Sequence, residues 1–195
     1  MPYSTVAEIR AFDSAVTAEA YPEQQVSEAL ALASEYIDRA TRQWFEPRQR
    51  TLAFAGNGFK DIVLEVPPIS ISSVKVSDQE LHSDHYRVIT ENRMCPLLRH
   101  KSGVWPQETE IIVEGSFGYV EEDDSAPPLI KRLCRIVTVK ILKEELESDS
   151  AELVSEQIGD YSYSKQKDAT GSTWMASREA ARILTYFRRP LIRTI

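Results

Sequence analysis

The residues best suited to chemistry are few. His82 and His85, with Asp84 between them, are the types that ligate a transition metal. Metal ligands must converge from a rigid frame, and these three lie in the polar stretch Ser77–His85. A solvated loop is expected there. Glu121-Glu122-Asp123-Asp124 has the charge to hold a cation, but successive carboxylates point in different directions and lack the alternating ligands of a calcium loop. The run fits an exposed turn that favours the positive end of a following helix. Cys95 and Cys134 form no CxxC motif and no disulfide framework, so free, semi-buried thiols in a reducing cytoplasm are expected. Trp44-Phe45 and Trp105-Pro106 could stack on bases, but no basic groove is legible around them, and core or subunit packing is the expectation. Gly56-Asn57-Gly58 is too short to cradle a phosphate. No GxSxG, HExxH, P-loop or GxGxxG is present. The sequence thus predicts no enzyme, no catalytic residue, no cofactor and no metal.

The C-terminus has more functional content. From Arg178 to Ile195 five arginines (Arg178, Arg182, Arg188, Arg189, Arg193) face one acid, Glu179, in a chain whose net charge is −7. Pro190 ends a short helix, and Leu191, Ile192 and Ile195 add apolar groups. A basic, apolar tail after a polar connector suits docking: arginine pairs bidentately with carboxylates while leucine and isoleucine are buried. The candidate docking residues are Tyr186, Phe187, Arg188, Arg189, Pro190, Leu191, Ile192 and Arg193. Folding back onto its own domain, or pairing with DNA phosphates, are the alternatives for this segment.

The elements that must position it come from hydrophobic period. Thr5 to Glu8 reads as a capping box for a helix of two turns ending at Phe12. Val26, Leu30, Ala33, Ile37, Ala40 and Trp44 share one face of a long helix over Pro22–Trp44. Strands follow: Thr51–Phe54 and Asp61–Leu64 read as a hairpin around Gly56-Asn57-Gly58. Ile69–Val76 reads as a strand broken in register at Ser72-Ser73, and Tyr86–Thr90, Met94–Leu98 and Thr109–Gly115 complete a small antiparallel, barrel-like insert. A third helix starts at Pro127-Pro128, carries Ile130, Leu133, Cys134, Val137 and Ile141, and ends near 147–149. Residues 148–173 form a polar connector, and Ser177 caps a fourth helix bearing Ala181, Leu184 and Phe187.

The fold class is therefore α+β: a helical bundle with an inserted antiparallel β subdomain and an extended C-terminal tail. The expected parts are residues 1–48 (N-terminal bundle helices), 49–120 (β subdomain), 121–149 (third bundle helix) and 150–195 (connector, short helix, docking tail). With 195 residues, 42% of them hydrophobic, such a body buries a core without metals or disulfides. The acidic balance is unlike a nucleic-acid footprint. No signal peptide and no membrane-spanning run is read, which predicts assembly in the cytoplasm.

An ordered series of motifs resembles a known family. Leu64-Glu65-Val66-Pro67-Pro68-Ile69-Ser70-Ile71-Ser72-Ser73-Val74-Lys75-Val76 comes first, then Tyr86-Arg87-Val88, Trp105-Pro106 and Ile111–Tyr119. Pro127 to Lys131, Ile158–Tyr163 and Ala180–Arg189 follow. Across most of Pro22–Arg189 this is similar to the head–tail connector (head-completion adaptor) proteins of tailed bacteriophages. The resemblance implies a virion protein of the neck, made in the host cytoplasm. It implies a homo-oligomeric ring, usually dodecameric, beneath the portal protein, with a stopper or tail-side protein at its other end. Genomic DNA would pass through the lumen without sequence-specific binding. The C-terminal segment would engage the portal, and Ile158–Tyr163 would order on docking. Another neck or tail-completion protein such as a stopper, and a DNA-packaging accessory that binds DNA, remain the competing readings. The first would carry less of the long helix, and the second would need a basic recognition helix. A hydrolase is a remote third.

Overall fold

The computed structural model describes residues 2–151 and 178–189. It is mixed α+β, with four α-helices and two antiparallel sheets among the described residues. The chain divides into two compact units, residues 1–40 with 128–186 and residues 41–127 with 187–195.

The first unit is helical. Helix α1 (Val6–Phe12) begins at Thr5, whose hydroxyl accepts from the Glu8 amide while the Glu8 carboxylate accepts from the Thr5 amide. The capping box is as read from sequence. Helix α2 (Glu23–Thr41) buries Val26, Leu30, Ala33 and Ile37 of the predicted stripe, with Ala29 beside them. It stops at Thr41 rather than Trp44. Arg42 turns left-handed at φ 59°, which ends the intrahelical hydrogen bonding and sends Gln43 to Phe45 into the second unit. Helix α3 (Pro128–Ala151) buries Ile130, Leu133, Cys134, Val137 and Leu142, and runs slightly beyond its expected end. Helix α4 (Arg178–Phe187) buries Ala180, Ile183 and Leu184. The helix contacts are partly polar. Arg135 reaches Ser4 and Glu8, Lys143 pairs with Asp13 at 2.6 Å, and Arg132 pairs with Glu179 at 2.5 Å.

The second unit holds the strands. One sheet has the order β1-β7-β3-β4, from β1 (Arg48–Ala55), β7 (Glu110–Phe117), β3 (Pro68–Val76) and β4 (Gln79–Glu80). The other has the order β2-β6-β5, from β2 (Asp61–Val63), β6 (Leu97–His100) and β5 (Tyr86–Ile89). The expected hairpin around Gly56-Asn57-Gly58 is not formed. Strand β1 pairs with β7 over its full length, from Arg48↔Phe117 to Ala55↔Glu110, while β2 pairs with β6. The glycine segment is instead a crossing between sheets, bonded to the loop before β7 through Gly58 N–H to Trp105 O and Gly56 N–H to Thr109 O. A Cβ on Gly56 would lie 1.7 Å from Pro106 O, so this close approach requires glycine. The strand expected at Met94–Leu98 starts later, at Leu97, because Asn92 and Cys95 close a turn ahead of it. The irregularity in β3 is present as a register shift between Ile71 and Ser73.

The core of this unit gathers Ile62, Leu64, Val66, Val74, Leu98, Trp105, Ile111, Val113 and Phe117. Trp105 is wholly enclosed, and its indole N–H donates to Leu98 O at 3.1 Å. The aromatic read as core from sequence is therefore its centre.

Candidate docking interface

The C-terminal segment is where sequence placed function, and its first half lies within the described residues. Tyr186 is 68% exposed and Arg188 is exposed. Phe187 is buried, and Arg189 is partly buried. Pro190, Leu191, Ile192 and Arg193 lie outside the described residues, as do Ile158–Tyr163, Ser177 and residues 152–173 of the connector, whose first residues, 148–151, belong to α3.

Phe187 sits in an aromatic cage built by two remote stretches of the second unit. Its ring meets Phe45 edge-on at 5.5 Å and Tyr119 edge-on at 5.5 Å, and Phe45 meets Tyr119 at 6.0 Å. Edge-to-face pairs set the positive ring edge against the negative face, each worth about 0.5–1.5 kcal/mol beyond burial. The Arg93 guanidinium covers the Tyr119 ring at 4.2 Å and donates to Val120 O. Backbone groups lock the segment as well. The Gln43 amide donates to Phe187 O at 2.7 Å, and Arg189 N–H donates to Thr41 O at 3.0 Å. The first bond satisfies the last carbonyl of α4 and the second the last carbonyl of α2, which the helices cannot satisfy themselves.

Arg189 completes the attachment. Its guanidinium donates to Leu64 O at 3.2 Å, while its Nε is buried with no hydrogen-bond partner among the described residues. Burial pulls its pKa below the usual arginine value, against the opposing pull of Glu65 and Cys95. Its alternating partner Arg188 points to solvent. The eight-residue candidate segment is thus divided in its described half: Phe187 and Arg189 grip the chain's own β-rich unit, and Tyr186 and Arg188 are presented outward.

Sequence reading missed Thr41, Gln43, Phe45, Arg93 and Tyr119 as the seat of this segment. The aromatic Phe45 and Tyr119 were visible, but no periodicity links them to Phe187. Trp44 packs against the core of the second unit, one of the two placements expected. It is half-buried, its indole N–H donates to Phe117 O at 2.9 Å, and Arg48 and Arg50 lie over its ring at 5.6 and 6.0 Å. The basic surroundings not legible around it are supplied by alternate residues of β1.

His82 Nδ1 lies 3.3 Å from Asp84 in an exposed turn, and no group of three metal-ligating side chains occurs among the described residues. Glu121–Asp124 form an exposed turn closed by Asp124 N–H to Glu121 O, with Asp123 accepting from the Ser125 amide. Cys134 is buried 3.6 Å from the Ser34 hydroxyl, and burial raises its thiol pKa. Cys95 is a partly buried free thiol.

No family model and no curated protein matches the sequence. Solved structures do match. A chain in the neck of an empty gene transfer agent particle, computed with C6 symmetry, aligns with a TM-score of 0.59 at 12% identity, over 97% of this chain and 91% of that one. The fold is one found in the neck of a gene transfer agent particle. A chain of the native gene transfer agent virion aligns with a TM-score of 0.55 at 10% identity, over 89% and 81%. A chain from the native neck computed with C12 symmetry gives 0.53 at 13% identity, over 97% and 91%. At these identities the likeness is one of fold. It is consistent with the head–tail connector family that the motif series resembles. Among the described residues no helix is long and apolar enough to cross a membrane.

Proposed function

We propose that this chain is a structural head–tail adaptor of a phage-like particle, assembled as a ring beneath the portal. The observation that carries the reading is the fold shared over 97% of the chain with a neck protein solved in a symmetric assembly. In this reading the helical unit is the bundle, the role is mechanical rather than catalytic, and copies meet head to tail so that the contacts close into a ring. A stopper or tail-side protein meets the far end. An acidic chain of net charge −7 lets DNA traverse the lumen without adhering.

The docking segment divides its work. Phe187 and Arg189 anchor the end of α4, and Tyr186, Arg188 and residues Pro190, Leu191, Ile192 and Arg193 meet the portal. A fixed root shortens the segment that must order on binding, which lowers the entropy cost of docking.

The test is to mix the purified chain with the portal protein of the same particle and image the complex. The expected result is a ring of added density on the tail-facing end of the portal. A portal that stays undecorated at micromolar concentrations of both proteins contradicts the reading.

A further inference from the structure

The outer face of the three-stranded sheet carries two rows of side chains outside the docking segment and its cage. Antiparallel register aligns Asp61 with Arg99 and Arg99 with Arg87 across the three strands. The next row aligns Val63, Leu97 and Ile89, all partly exposed. Side chains alternate in a strand, so both rows face away from the core residues Ile62 and Leu98. Lys60 and Lys101 flank the charged row. With Arg87, Arg99 and His100 they line a concavity of about 350 Å³.

The charge on this face is unbalanced. Asp61 takes Arg99 bidentately at 2.6 Å through both oxygens, and Arg99 holds its carboxyl below the usual range. Asp61 also attracts Arg87 and Lys60, and Glu91 attracts Arg99, so the four cations Lys60, Arg87, Arg99 and Lys101 meet two acids. Placing Arg87 directly opposite Arg99 is a like-charge pair, which costs stability in a sheet. Such a local conflict is expected where a surface serves a partner. Beyond the row stand Phe59, 70% exposed, and Val104, 48% exposed, beside the backbone bond from Trp105 N–H to Phe59 O. Cations next to exposed apolar groups match a protein interface better than a phosphate track, which would be repelled by the ionised Asp61.

We infer that this sheet face is an interface between copies of the chain, its cations receiving the acidic Glu121–Asp124 turn of a second copy. The complement is present on the same molecule: four consecutive carboxylates, all exposed, on a turn fixed by its own hydrogen bonds. A basic face and an acidic turn are different patches, so the contact is heterologous and propagates from copy to copy. The inference rests on the ring reading proposed above and names the surface that would close it.

Two charge-reversed variants test it. One carries Arg87→Glu and Lys101→Glu, and the other Glu121→Lys and Glu122→Lys. All four positions are exposed, so thermal unfolding should match the native chain and serves as the folding control. Self-association is read by sedimentation at low salt. The native chain should associate, and each variant alone should associate at least ~tenfold more weakly, since like charges then meet. An equimolar mixture should recover association, because each variant's face now complements the other's turn. A native chain that stays monomeric to millimolar concentration, a reversed variant that associates as the native chain does, or a mixture that stays apart overturns the inference. Loss of duplex DNA binding in the first variant with self-association unchanged overturns it too, and reassigns the face to nucleic acid. Portal rings decorated equally by the native chain and both variants leave the adaptor reading standing while this inference falls.

Discussion

The two ends of the described chain are both tied down, but with a different balance of polar and aromatic contacts. Near the N-terminus the buried Tyr3 and Ile9 are joined by many polar ties. Tyr3 N–H donates to the Ser34 hydroxyl and its phenol to Asp38, Arg135 reaches Ser4 and Glu8, and Lys143 pairs with Asp13. Near the C-terminus the tie is a buried phenylalanine between two aromatic rings, with neutral hydrogen bonds to Gln43 and Thr41. The partly exposed ion pairs among these are screened by salt and weak singly. An aromatic tie is insensitive to salt and fails only when the ring is removed. The end proposed to bear docking load therefore rests mainly on ring packing, with the Arg189 and Arg93 guanidinium groups added to it.

The comparison breaks most visibly at Phe187. Phe187→Ala should cost about 3–5 kcal/mol, as truncation of a buried phenylalanine does. Segment-resolved hydrogen exchange should show the Arg189 amide, which bonds to Thr41 O, losing protection. A loss under ~1 kcal/mol would mean the cage is not an anchor. Next is Gln43→Ala, which leaves Phe187 O buried without its donor and should cost about 1–3 kcal/mol in denaturant unfolding. At the other end, Thr5→Ala removes half of the capping box and should cost about 1 kcal/mol, read in the same way.

Acid sharpens the contrast. The Ser4 hydroxyl, the Thr5 amide and Arg135 hold Glu8 below its ordinary value of 4.5, and the Lys143 ammonium and the Ala15 amide hold Asp13 below 3.8. A carboxylate with a depressed folded pKa stabilises the fold fully above its unfolded value and loses that contribution as pH falls through the folded one. Between pH 4.5 and lower values, protection of α1 should fall before that of the Arg189 amide. Glu8→Gln with Asp13→Asn should flatten this acid limb. The smallest expected effect is Lys143→Ala, which removes an exposed ion pair and should cost under ~1 kcal/mol, less still in high salt.

Local signals in the sequence carried over well where a single element decides the outcome. The Thr5 and Glu8 cap, the stripe of α2, the start of α3 after Pro127 and the break at Ser72-Ser73 are set by neighbours a few residues away. Pairing was less legible. Gly56-Asn57-Gly58 has the composition of a tight hairpin, but β1 finds a longer and better buried partner in β7, more than fifty residues on. The end of α2 was missed for a similar reason. Trp44 continues the helical stripe, yet its indole is used on the Phe117 carbonyl, and Arg42 takes the left-handed turn that allows it. For the docking segment, charge and apolar content marked the region, but not its internal division. That Phe187 and Arg189 face inward while Tyr186 and Arg188 face outward depends on Phe45 and Tyr119, which only the fold brings to them. The basic face of the second sheet was hidden likewise, since Lys60, Arg87, Arg99 and Lys101 are scattered along an acidic chain.

The most direct test of the adaptor reading removes residues 190–195 and leaves the anchor in place. A chain ending at Arg189 should unfold at the same temperature as the full chain, because the cage, the Gln43 bond and the Thr41 bond all remain. Its binding to portal rings should fall below detection in a pull-down that captures the full chain. Undiminished portal binding by the shortened chain would contradict the account.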